Sequence, residues 1–134
     1  MDFTKPILVL CMGISFLTPV HSSEYGEKVE AEIETFAKTH RDKDRILSSL
    51  IQLRFVKESC PKNGWLTDKE VEMATHIKRE GFVRGIKYGT FKRDTVNQAN
   101  SMVNLFVNEF SYHEIKDQCS LVRTWLSGLM EPEF

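Results

Sequence analysis

Apolar residues recur along this chain at the three- and four-residue steps of a helix face. Val29, Ile33, Phe36, Ala37 and His40 fall on one stripe. The polar stretch 40–44 breaks or bends this first helix. Ile46, Leu47, Leu50, Ile51, Leu53, Phe55 and Val56 follow, and their face is too wide for a surface helix, which places this element at the centre of the fold. Cys60-Pro61 predicts its end, because the residue before proline is pushed out of the helical region, and residues 61–64 read as a turn.

Thr67 and Glu70 have the spacing of a capping box, and Val71, Ala74 and Ile77 supply the inward stripe of the helix it opens. A further helix, capped near Asp94, carries Val96, Ala99, Val103, Phe106, Val107 and Phe110 in the cleanest amphipathic pattern of the chain. Ser111 and Glu114 form a second capping box. The last helix then has Ile115, Cys119, Val122, Leu126 and Leu129 on one side, with Gly128 or Pro132 as its stop. No segment alternates with period two, so no sheet is expected. The pattern predicts an all-α fold, a compact bundle of four to five antiparallel helices, since short connections favour antiparallel neighbours.

The opening differs from the rest. A short polar start with Lys5 precedes an apolar run over residues 7–17, and Val20 and Ser22 stand where a signal peptidase wants small residues. Residues 1–22 are therefore expected to be a cleavable signal peptide, with residues 23–134 a single helical domain. The apolar run, about 11 residues, is too short to cross about 30 Å of hydrocarbon as a helix. An exported chain, periplasmic or extracellular and not transmembrane after cleavage, folds where disulfides persist. Cys11 leaves with the signal. Cys60 and Cys119 remain, and an even pair in that setting predicts one bridge.

The formal net charge of −1 gives no general attraction to nucleic acid. Its distribution is uneven. Residues 24–34 hold five glutamates against Lys28, whereas residues 76–93 hold Lys78, Arg79, Arg84, Lys87, Lys92 and Arg93 against Glu80. Such segments are either two solvated faces or, for the second, an anion-facing patch.

Gly81, Gly85 and Gly89 recur every four residues. Each costs a helix about 1 kcal/mol relative to alanine. Either the helix ends at Gly81 and a glycine-containing connector follows, or it persists and the glycines form a smooth groove for helix packing. Tyr88 and Phe91 stand among Arg84, Lys87, Lys92 and Arg93, a mixture able to hold acidic or ring-bearing partners, or simply to supply aromatic core. Asn97, Asn100, Asn104 and Asn108 form a band beside the next helix's apolar stripe, suited to a neutral rim of a binding surface or to a plain solvated flank.

Catalytic signals are sparse. Glu72, His76 and Glu80 share a spacing of four, as do His113 and Asp117, and two such sets could in principle hold a metal. Neither has a metalloprotease arrangement, no nucleophile motif is present, and nothing calls for a cofactor. The expected function is that of an exported, non-catalytic binding module for another macromolecule, in an inhibitor, immunity or chaperone-like role. Its partner-binding surface would join Arg84, Lys87, Tyr88, Phe91, Lys92 and Arg93 to the asparagine band. A protein partner is the first expectation, an anionic envelope or membrane component the alternative, and a metal-dependent enzyme the last reading.

Overall fold

A computed structural model describes residues 20–130. They form helices α1 (Val20–Thr39), α2 (Lys43–Lys57), α4 (Asp68–Tyr88), α5 (Arg93–Val107) and α6 (Tyr112–Met130), with a single helical turn, α3 (Ser59–Lys62), between α2 and α4. No strand occurs among the described residues. The chain is an all-α compact bundle with one disulfide. The greater part of the expected signal peptide lies outside the described residues. Its cleavage point, between Ser22 and Ser23, falls within the first turn of α1.

The polar stretch after α1 breaks the helix. Asp42 restarts it as N-cap, its side chain accepting a hydrogen bond from the Arg45 backbone N–H at 2.9 Å. Both capping boxes form: Thr67 with Glu70, at 3.2 and 2.8 Å, and Ser111 with Glu114, at 3.1 and 2.8 Å. Asp94 is not the cap of α5. Lys92 occupies that position without a side-chain cap bond, and Asp94 lies in the first turn, where its charge favours the helix dipole. Nor does α2 run to Cys60. It ends at Lys57, and Cys60 and Pro61 belong to the α3 turn, where the missing proline N–H costs no helical bond.

The centrality of α2 holds, since it packs against α4, α5 and α6. Its short connections do turn the chain, but the helices they join are not each other's main partners. α1 lies chiefly on α4, and α2 chiefly on α5. Bulky side chains gather beside the corners. Phe36 precedes the α1–α2 connection, Phe82 and Phe91 flank the α4–α5 connection, and with Ile46 and Ala99 they make a separate apolar cluster. Phe82 meets Phe36 edge to face, with ring centroids 4.9 Å apart. The main core surrounds the Cys60–Cys119 bridge and includes Ile33, Phe55, Ile77, Val103, Val122 and Leu126.

Candidate functional site

α4 is continuous through its glycines. Gly81 and Gly85 are buried on the same face as Ala74, Ile77 and Phe82. A methyl group on Gly81 would overlap the Phe36 ring, and one on Gly85 would overlap the Phe91 ring. These two are packing glycines, as the groove reading requires. Gly89 is not. It has φ 77° and closes the helix, with its N–H donating to the Ile86 carbonyl at 3.1 Å and Thr90 N–H donating to the Gly85 carbonyl at 2.9 Å. This is the paired C-terminal bonding that favours glycine in the left-handed region.

The expected partner surface divides. Arg84 turns onto α1, where it makes a two-pronged bond to Glu30, with Nη2 donating to Oε1 at 3.0 Å and Nη1 to Oε2, and reaches Glu34 at 3.4 Å. The Tyr88 hydroxyl donates to Glu34 at 2.8 Å. The hydrogen bond from Arg84 holds the Glu30 carboxyl below its ordinary range, and that to Glu34 pushes the Tyr88 phenol up. Phe91 is core, 6 % exposed and seated on Gly85, so its ring is not available to a partner. Lys87, Lys92, Arg93, Asn97, Asn100 and Asn108 are exposed and make no ion pair or side-chain hydrogen bond among the described residues. Asn104 is exposed too, and accepts a hydrogen bond from Arg54 of α2 at 2.8 Å. Leu105, 67 % exposed, stands on the same helix.

Of the residues considered for a metal, Glu72 and His76 are exposed on α4, and His113 faces Asp117 at 3.6 Å on α6. Among the described residues no group of three or more His, Cys, Asp or Glu side chains is placed to hold an ion.

A polar cleft that the spacing arguments overlooked lies near the end of α1, between α2, α4 and α6. Lys78 is only 4 % exposed, and its Nζ donates to the equally buried Ser49 Oγ at 2.8 Å. The Phe36 and Trp125 rings lie 5.7 and 5.8 Å from the same nitrogen. Burial lowers the amine from 10.5 to about 8. Across the cleft the Gln52 amide donates to Gln118 Oε1 at 3.0 Å. His40 stacks on Phe36 with ring centroids 3.7 Å apart, and its Nδ1 lies 3.0 Å from the Phe36 carbonyl. Burial lowers its pKa as well, against the carbonyl's opposing pull. The cleft is open to solvent, with a volume of about 370 Å³, and Asp44, Arg45 and Ser48 complete its wall.

Lys78 was legible in one respect. It follows Ala74 and Ile77 at steps of four and one, on the inward stripe of α4, where a lysine is out of place. Among the described residues no helix is long and apolar enough to cross a membrane. Against protein-family models, curated proteins and solved structures, the chain has no match.

Proposed function

We propose that the chain is a small exported binding module, without catalysis of its own, that recognises another protein through the outer side of α5 and the adjoining α4–α5 corner. One observation carries this reading. Lys87, Lys92 and Arg93 are exposed and make no ion pair among the described residues, and the exposed asparagines of α5 follow them, while Arg84 of the same basic segment is already matched by acidic α1. Toward the other end of the same helix Leu105 is exposed, one residue after Asn104 and three before Asn108, and the main internal partner of that helix is α2. Polar groups around an apolar anchor are the usual composition of a protein interface, with charge speeding encounter and the anchor supplying affinity. The partner surface should be acidic. Export is supported by the apolar opening of the sequence and by a cysteine pair at bonding distance.

The test begins with protein from the native source. Mass analysis should find Ser23 at the N-terminus. Affinity capture should then yield a partner that binds the purified chain saturably. The triple variant Lys87→Glu, Lys92→Glu, Arg93→Glu should keep its helical signal and lose at least about tenfold in affinity. Equal binding by the variant removes this surface. Salt-sensitive binding to anionic vesicles, with no protein captured, would favour the envelope alternative.

A further inference from the structure

We propose that the cleft floored by Lys78 and Ser49 is a binding site for a small hydroxylated carboxylate of the hydroxy-acid or sugar-acid class. This is independent of the protein-recognition surface on α5. The ammonium of Lys78 has an incomplete set of bonds. An ammonium has three donors, and Lys78 uses one, on Ser49. Among the described residues no carboxylate comes within ion-pair distance of its Nζ. Two aromatic faces attract the cation but accept no conventional hydrogen bond. Burial leaves the amine titrating at about 8, so it is still mostly charged at neutral pH. A buried cation in this condition lacks an anion, and an anion entering the cleft would supply it.

The cleft fits such a guest in size and chemistry. Its volume of about 370 Å³ lies within the range of small-molecule sites. Every lining residue is polar: besides Lys78 and Ser49 these are His40, Asp44, Arg45, Ser48, Gln52 and Gln118. The hydrogen bond between the two glutamines leaves Gln52 Oε1 as an acceptor and Gln118 Nε2 as a donor. That pair suits a hydroxyl next to a carboxylate. The charges facing the cleft are Lys78 and Arg45 against Asp44, with His40 held toward its neutral form. Arg45 is partly committed, donating to the Thr39 carbonyl at 3.0 Å and lying 3.9 Å from Asp42. The surplus is a single positive charge, which matches a monoanion better than a phosphate dianion.

Titration of the full chain with glucuronate, lactate and acetate, followed by amide and side-chain NMR, tests the assignment. Glucose serves as the neutral counterpart of glucuronate, and inorganic phosphate as the competing anion. The proposal expects saturable shifts at Ser49, Gln52 and Gln118 with glucuronate or lactate, weaker ones with acetate, none with glucose, and a rise in the pKa of the Lys78 amine at saturation. Lys78→Met should weaken that binding at least about tenfold. Gln118→Glu, which adds a like charge to a half-buried wall position without removing the lysine, should do the same. No saturable shift with glucuronate or lactate, binding of acetate as tight as theirs, an equal response to glucose, tighter binding of phosphate, or unchanged affinity in both variants would overturn it.

Discussion

The ring of Phe36 on α1 rests on the bare backbone of Gly81 on α4, closer than any side chain at position 81 would allow. The same ring meets Phe82 edge to face and stacks on His40, so it cannot easily withdraw. Gly81→Ala should therefore destabilise the protein by about 1–3 kcal/mol, through overpacking. This opposes the gain of about 1 kcal/mol that alanine brings to a helix interior. Gly128 is the internal control. It lies within α6 with nothing near the added methyl, so Gly128→Ala should stabilise by up to about 1 kcal/mol. Urea unfolding of the two variants should give midpoint shifts of opposite sign.

The glycine spacing shows where sequence reasoning reaches its limit. A four-residue period places Gly81, Gly85 and Gly89 on one side of a helix, and two of the three do admit aromatic rings. The period cannot reveal that Gly89 lies one residue past the helix, because the αL cap and the packing groove ask for the same residue type. Apolar stripes identified the helices, since burial repeats at helical steps, and the even cysteine count of an exported chain identified the bridge. The site was less legible. Arg84 and Phe91 looked like surface groups beside Lys87 and Lys92, but Glu30 and Gly85, which hold them, are 54 and 6 residues away along the chain. Contacts of that separation exist only after folding.

The bridge between Cys60 and Cys119 joins the α3 turn to the inner face of α6 across a separation of 59 residues. Closing a loop of this length in the unfolded chain is worth roughly 4 kcal/mol in the chain-entropy model. The double variant Cys60→Ala, Cys119→Ala should lose a large part of a typical domain's stability, which is about 5–15 kcal/mol. Urea midpoints with and without a reductant give the measurement. The wild type should fall toward the variant when reduced, while the variant should not respond to reductant at all.

Arg84 couples α4 to α1 through Glu30 and Glu34. Arg84→Glu alone should lower the urea midpoint, because it opposes two carboxylates. Adding Glu30→Arg should recover part of the loss, and high salt should shrink both effects by screening. The acid response has a definite sign. Arg84 depresses the folded-state pKa of Glu30, so the contribution is present above the ordinary carboxylate value of 4.5 and disappears as pH falls through the lower folded value. A double variant no better than the single one would show that this seam is held by packing.

Lys78 gives the sharpest dependence on pH. In the unfolded chain its amine titrates near 10.5, and in the folded chain at about 8. Below about pH 8 both states carry the proton, and the native state bears the full cost of a buried charge. Between about pH 8 and 10.5 the native amine releases its proton first. The unfolded chain then holds more protons, so stability rises with pH across that window. The shift corresponds to a penalty on the order of 3 kcal/mol at neutral pH. Lys78→Met fills similar space without a charge, and in buffer free of carboxylates it should be more stable than the wild type near pH 7, by on the order of 1–3 kcal/mol. Its advantage should narrow near pH 9.5, because the wild-type amine is by then mostly neutral in the folded state. Urea unfolding of both proteins at the two pH values separates the causes. A gap that narrows assigns the difference to the buried charge, whereas a gap of constant size would mean that the folded amine keeps its proton as the unfolded one does, and would place the difference in the packing against Phe36 and Trp125.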